Sequence, residues 1–496
     1  MELDILSNQP AKTEVGSYFV ANYPPFSAWS ADHVPATLDM LRSPVNDGPA
    51  WRNGRHGGTT ATENVRHGGT DATENVRPGG TDATDRNPSI LQSSNPSASL
   101  HPSTPPPLGL YMHIPFCRKR CKFCYFRVYT GKNASDVDTY MDALANEVAL
   151  YASMERLQGR QFDFVYFGGG TPSFLSSQQL TKLIDNINEH WRWDAAREVT
   201  FECEPGTLQK GKLETIKKIG VTRLSLGVEH FDDELLESNG RAHKSKEIYR
   251  AYEWIKEVGF PQVNIDLIAG MVGETDDKWK YAVDEALKFE PDSVTIYQME
   301  LPHNAVFSKE QKESGATLVA TWAQKRAWVD YAFQQFEAAG YVVSSGYTLL
   351  KPSERAKFVY RDALWHGADM VGTGVASFSH VGGIHYQNLD QWDDYIPTVN
   401  RGELPISRAL PISHKQALIR EFILQMKLGH VKTGYFREKF DVDVTTEFHD
   451  ELKSLTDANV ATVTDKSVTL TRNGLLMVDE LLHRFFEPQF QGVRYT

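Results

Sequence analysis

Cysteine is scarce in this chain, with four residues in 496. A disulfide-stapled scaffold needs a far higher density, and no apolar leader opens the sequence, so free thiols in a reducing, cytoplasmic setting are expected. Basic residues are in deficit too: 52 Lys and Arg stand against 64 Asp and Glu, a formal charge of −12. A surface of that balance does not neutralise phosphates, which argues against nucleic-acid binding. Long apolar runs are also missing; none approaches the roughly 20 residues that a membrane helix needs. Residues 46–107 are poor in large apolar side chains and rich in Gly, Thr, Asn, Ser and Pro, too little to offset the entropy of ordering. Within them a unit beginning at Gly57 recurs from Gly68 and decays from Gly79. With a glycine pair and one valine per unit, it reads as a disordered, repeat-containing linker rather than a solenoid.

What remains is long enough for two or three domains. Residues 1–45 form an arm holding Tyr18, Phe19, Tyr23, Phe26 and Trp29, too aromatic for a tail and expected to pack on the fold. From 108 to 305, short apolar runs alternate with stretches of helical period. Strands are expected at 108–113, 163–168, 198–203, 222–227, 262–268 and 292–298, with helices at 135–153, 176–190, 208–218, 244–258 and 276–288. Such a succession implies an α/β fold with a parallel sheet and right-handed crossovers, open or curled into a partial barrel, with ligands at the C-terminal strand ends. Residues 306–406 carry a helical pattern at 317–339 and a glycine-rich run from Asp369 to Ser377, as a barrel-completing or cavity segment. Residues 407–496 read as three helices and a hairpin around Asp465-Lys466, a winged-helix-like domain whose lack of a strongly basic face suggests a lid or packing role.

Three of the four cysteines, Cys117, Cys121 and Cys124, follow the first strand in a C-x3-C-x2-C pattern. Iron–sulfur clusters are normally held by four thiolates, so three imply a remote fourth ligand or an open iron where substrate coordinates. Zinc is the alternative, but structural zinc sites close with four ligands and no second pair of cysteines is present. Cys203 lies in an apolar stretch and reads as a small buried hydrophobe.

Further candidates stand at the other strand ends. Gly168-Gly169-Gly170-Thr171-Pro172 exposes backbone to close approach, or is simply a tight turn. Glu202 and Glu204 fall on one face by strand alternation, where a carboxylate can take ribose hydroxyls. Gly227-Val228-Glu229-His230 closes the fourth strand, and Gly240-Arg241-Ala242-His243 follows. Asp266, inside an apolar strand, needs a partner, either Arg241 or a ligand. His230 and His243 alone are uninformative.

Together these motifs resemble the radical S-adenosylmethionine (SAM) superfamily, and within it the oxygen-independent coproporphyrinogen III oxidase family, from about residue 108 to the C-terminus. The resemblance implies a partial parallel (β/α)6 barrel with a C-terminal helical domain. It implies a [4Fe-4S] cluster on Cys117, Cys121 and Cys124 whose open iron takes SAM. Tyr111 and Phe123 would line the SAM site, Gly169, Gly170 and Thr171 would meet its methionyl part, Glu202 its ribose and Arg241 its carboxylate. Glu229 and Asp266 match further SAM-site positions, and Met299 and Phe378 positions lining the ligand cavity. The implied activity is oxidative decarboxylation of coproporphyrinogen III or a related tetrapyrrole, with electrons from a flavodoxin or ferredoxin type donor and a monomer as the expected state. Two residues depart from the family pattern: Phe126 where a further cysteine stands, and Glu229 in place of glutamine. A haem chaperone of the same family is a second reading, weakened because Tyr360 to Trp365 retains only the tryptophan of the chaperones' His-Asn-x-x-Tyr-Trp segment. A radical SAM C-methyltransferase or cyclopropanase is a third.

Overall fold

The computed structural model describes residues 22–45, 105–301, 305–314, 318–353 and 356–492. The expected linker falls outside these apart from its last three residues, as do Tyr18 and Phe19 of the arm.

Six parallel strands make the centre: β1 (Leu108–Ile114), β2 (Phe162–Gly169), β3 (Glu198–Cys203), β4 (Arg223–Glu229), β5 (Gln262–Ala269) and β6 (Ser293–Gln298). They pair in sequence order, each in parallel register with the next. Their ends lie within two residues of the expected ones, because strands buried on both faces read as unbroken apolar runs. The intervening helices cover the outer face. Two of them start on reciprocal caps, Asn133 with Asp136 and Ser176 with Gln179, a device worth about 1 kcal/mol at each helix start. The amphipathic helix Ser245–Val258 buries Ile248, Ala251, Tyr252 and Ile255, and the left-handed Gly259 closes it.

The sheet extends beyond the six strands that the sequence pattern shows. On one side come β7 (Val342–Val343) and β8 (Thr348–Leu350), with β8 antiparallel to β6. On the other side β9 (Asp369–Thr373) lies parallel to β1, followed by the antiparallel β10 (Phe378–Val381), β11 (Ile384–Asn388) and β12 (Ile406–Pro411). The order is β12-β11-β10-β9-β1-β2-β3-β4-β5-β6-β8-β7, twelve strands among the described residues. Register fixes which residues share the concave face. Tyr111 stands opposite Tyr166 and Gly372, Glu202 opposite Ser225, and Gly227 opposite Asp266.

The C-terminal segment carries helices His414–Met426, Thr433–Phe440 and His449–Asp457, with a small sheet of β13 (His430–Lys432), β14 (Ala461–Val463) and β15 (Ser467–Leu470). The arm spans the molecule. Tyr23 is fully buried, packs on Phe486 and Phe490 and donates its hydroxyl to Glu487. Phe26 stacks on Phe378 with ring centres 4.3 Å apart, and Ser30 bridges to Ala409 at the β12 edge.

Candidate functional site

The loop after β1 holds three thiols. Burial raises Cys117 to about 11 and Cys124 to about 12, so ligation must displace protons that the bare site retains. The surroundings offset part of this: the Thr171 hydroxyl donates to Cys117 Sγ at 3.4 Å, and Arg241 Nη1 donates to Cys121 Sγ at 3.3 Å. Cys203 is buried, with its sulfur toward the Phe201 carbonyl at 4.0 Å, and alternation turns it away from the concave face that Glu202 occupies. Among the described residues no set of three His, Cys, Asp or Glu is grouped to hold a single metal ion. A mononuclear tetrahedral site needs thiolates converging at about 2.3 Å from one centre; a cubic cluster spreads the same ligands over several irons. The donor set fits a cluster better than zinc.

Around this loop the candidates separate. Gly169 and Gly170 serve packing first: a side chain at Gly169, where φ is +110°, would meet the His113 ring at 2.4 Å, and one at Gly170 the Pro115 backbone at 2.8 Å. The glycines let the β2 turn press on the end of β1, sealed by Gly170 N–H to Ile114 O at 2.9 Å. Glu202 accepts from Tyr166 at 2.7 Å and from the Gly169 amide at 3.2 Å, and burial raises its carboxyl to about 7. Glu204 does not continue the alternation, because β3 ends at Cys203. It takes both forks of Arg118 and His243 Nδ1 at 3.0 Å; burial opposes its ionisation, but His243 and Arg118 outweigh it and bring the carboxyl to about 2. Glu204 thereby ties the residue after Cys117 to the loop carrying Arg241, a role spacing did not reveal.

Asp266 makes no hydrogen bond to Arg241, one of its two expected partners. Ser225 and Asn264 donate to its two oxygens at 2.9 Å each, and burial raises its carboxyl. One hydroxyl from the neighbouring β4 and one amide from Asn264 on its own strand satisfy it without a cation. Arg241 turns to Glu229 instead, Nη2 to Oε1 at 3.4 Å, and donates to the Gly227 carbonyl at 3.0 Å. Its Nε, buried, has no hydrogen-bond partner among the described residues. Glu229 reaches this position through a left-handed backbone, φ +63°. Burial raises it to about 7 against the pull of Arg241, with Asp266 adding to the rise. The negative charge that Glu229 brings has its compensating cation within the fold.

Tyr111, stacked near Tyr166 with ring centres 5.9 Å apart, lies on the concave face. Phe123 and Met299 come together in an apolar cluster with Ile268, Met271 and Leu301 at the β5–β6 end. Phe378 lies far from them, across β1 on β10, under Phe26 of the arm. The concave face between is aromatic and open: Tyr125, Phe126 and Tyr297 expose 45%, 39% and 43% of their surface. Tyr297 shares this face because Thr295, two residues earlier, pairs with Asp266. Exposed aromatics on a concave face are the walls of a cavity. Tyr360, from the helix Val359–Trp365, closes on Tyr166 at 4.3 Å and narrows it.

Comparison with known proteins places these observations. Residues 111–286 match the family model described as the radical SAM superfamily. The heme chaperone HemW of Bacillus subtilis (strain 168) is 27% identical over 380 residues, covering 76% of this chain and 98% of its own length. The oxygen-independent coproporphyrinogen III oxidase of Escherichia coli (strain K12) is 25% identical over 394 residues, covering 75% and 84%. The solved structure of the coproporphyrinogen III oxidase HemN from Escherichia coli superposes with a TM-score of 0.72 at 20% identity, covering 94% of this chain and 96% of that one, and it shares the fold. With its three-thiol loop at the end of the first strand of a parallel partial barrel, the enzyme carries over residues 111–286 a radical SAM domain, of the superfamily that works with a [4Fe-4S] cluster and SAM.

Proposed function

We propose that this enzyme oxidatively decarboxylates a propionate side chain of a tetrapyrrole, with coproporphyrinogen III as the best-supported substrate. The observation that carries the reading is the three-thiol loop, with Tyr125 and Phe126, beside a sheet face that bears Tyr111, Tyr166 and Tyr297 with Tyr360 packed on Tyr166. Flat aromatic walls suit a large macrocycle, and relatives bearing the oxidase name cover most of the chain. When bound, the cluster and SAM supply reductive cleavage of SAM and abstraction of a hydrogen atom. Cys117, Cys121 and Cys124 would hold the cluster, Arg241 and Glu202 would take the carboxylate and ribose of SAM, and the aromatic walls would exclude water from the reacting carbon. Loss of the hydrogen atom, one further electron to an oxidised carrier, and carbon dioxide leaves a vinyl group.

The electron supply fits an acidic flavodoxin or ferredoxin type carrier. Between Cys117 and Lys132 the chain places six Lys and Arg with no Asp or Glu; Arg118, Lys122 and Arg127 pair with Glu204, Glu310 and Asp390, which leaves Lys119, Arg120 and Lys132 as the basic side chains beside the thiol loop for an acidic carrier.

Anaerobic reconstitution followed by incubation with coproporphyrinogen III, SAM and dithionite tests the assignment. Formation of 5'-deoxyadenosine together with vinyl-bearing product is expected; 5'-deoxyadenosine without that product would remove this substrate and leave the superfamily chemistry standing. A second reading, haem binding without turnover, is favoured by the nearly full-length match to a protein named heme chaperone. Stoichiometric haem uptake with no product from coproporphyrinogen III would select it.

A further inference from the structure

We infer that the cavity contains a built ligand for the metal of a metallated tetrapyrrole, the Nε2 of His380, which neither the cluster nor the SAM site uses. The inference rests on the tetrapyrrole reading of the cavity and names a feature within it. His380 is on β10, where it pairs with Met370 of β9. Met370 shares the face of Gly372, two residues on, and Gly372 stands opposite Tyr111. His380 therefore belongs to the same concave face, two strand spacings across and two residues along from Tyr111, roughly 12 Å away. It is only partly buried.

Its protonation pattern follows from its neighbours. Asn22 Oδ1 accepts from Arg420 Nε at 2.9 Å and from the Tyr23 amide at 3.0 Å, which makes Asn22 Nδ2 the donor toward His385 Nδ1 at 3.3 Å. His385 Nε2 faces the Tyr23 carbonyl at 3.1 Å and can only donate there. His385 Nδ1 is then a bare acceptor, and His380 Nδ1, 3.1 Å away, must carry the proton that it receives. Trp29 stacks flat on the His385 ring at 5.3 Å and fixes its plane. The chain of bonds leaves His380 Nε2 as an oriented lone pair with no partner among the described residues. Burial, then Arg420, His385 and Lys439, keep the imidazole neutral.

A neutral histidine whose second nitrogen donates to an oriented acceptor has the second-shell support of a metal-ligating imidazole, and a single axial imidazole suffices for a porphyrin-held iron. The ligand class is a flat macrocycle carrying a Lewis-acidic metal.

The test uses the full-length protein without reconstitution, titrated separately with ferric haem, followed by the Soret band, and with metal-free coproporphyrin, followed by fluorescence. Haem is expected to bind at least tenfold more tightly than the metal-free porphyrin, with the Soret shift of imidazole ligation. His380→Ala and His380→Gln should both lose that shift and the preference while keeping coproporphyrin affinity; glutamine retains an N–H for His385. Added imidazole should restore the shift in His380→Ala, and His449→Ala should behave as the parent. An unchanged Soret shift in both His380 variants, or equal affinity of the parent for the two porphyrins, would overturn the ligand assignment alone. Failure of both porphyrins to bind would overturn the tetrapyrrole reading beneath it.

Discussion

At the scale of single residues, the sharpest division is between the three loop cysteines and Cys203. Replacing Cys117, Cys121 or Cys124 with alanine should abolish SAM cleavage and reduce bound iron and sulfide after reconstitution. Cys203→Ala should retain iron and lose only about 1 kcal/mol of stability, read from a denaturant midpoint. Spacing exposes this distinction because thiolate ligation demands nearby cysteines on a loop. It does not expose the Glu229–Arg241 pair, which exists only because the backbone at Glu229 turns left-handed, or the clamp of Glu204 by Arg118 and His243, whose bonds join residues 86 and 39 positions apart through space alone. On the proposed role of Arg241 in holding the SAM carboxylate, Glu229 competes for the same guanidinium. Glu229→Gln should therefore tighten SAM binding roughly fivefold, about 1 kcal/mol, by calorimetry on the reconstituted protein; unchanged or weaker binding would count against the competition.

At the scale of elements, the helix Ala134–Ala152 is pinned to the sheet extension by one buried carboxylate. Glu147 accepts from the Gly374 amide at 2.7 Å, from Asn388 at 2.6 Å and from the Tyr395 hydroxyl at 2.6 Å. Burial still dominates and raises it to about 7 from an ordinary value of 4.5. An unfolded chain releases this proton near the ordinary carboxylate range, whereas the folded chain holds it until near neutrality. The stability contributed is complete at low pH and is lost as pH rises through about 7. The loss is on the order of 3 kcal/mol. Glu147→Gln should cost stability at pH 5, where one acceptor is lost, and should flatten the decline between pH 5 and pH 8 in thermal melts of the cluster-free protein. The elements joined by Glu147 differ in how readily their sequences declare them. The six parallel strands do so by continuous apolar runs, while β10 to β12 are interrupted on the concave face by His380, His385, Gln387 and Arg408. Their polarity reflects the arm packed over them, with His385 against Trp29 and the Tyr23 carbonyl, and with Arg408 donating to the Phe26 carbonyl, and that is why a strand pattern fails there. The short helices Asp233–Ser238 and Val359–Trp365 are similarly silent, having too few turns to show a period.

At the scale of the whole molecule, the arm joins the ends of the described chain. Tyr23 is fully enclosed between Phe486 and Phe490 with its hydroxyl shared with Glu487. Tyr23→Ala should cost about 4 kcal/mol through the cavity left behind, and Tyr23→Phe about 1 kcal/mol, both measurable by chemical denaturation. If the alanine variant instead matched the parent, the arm would be dispensable to the fold. The arm also sets an order in time. Tyr23, Phe26 and Ser30 precede the barrel in the chain and their partners Glu487, Phe378 and Ala409 follow its six strands, so they wait through synthesis of the whole barrel. The arm's aromatic packing on Phe378, and the imidazole relay that Tyr23 and Trp29 hold in place, can be completed only after those later partners have been made.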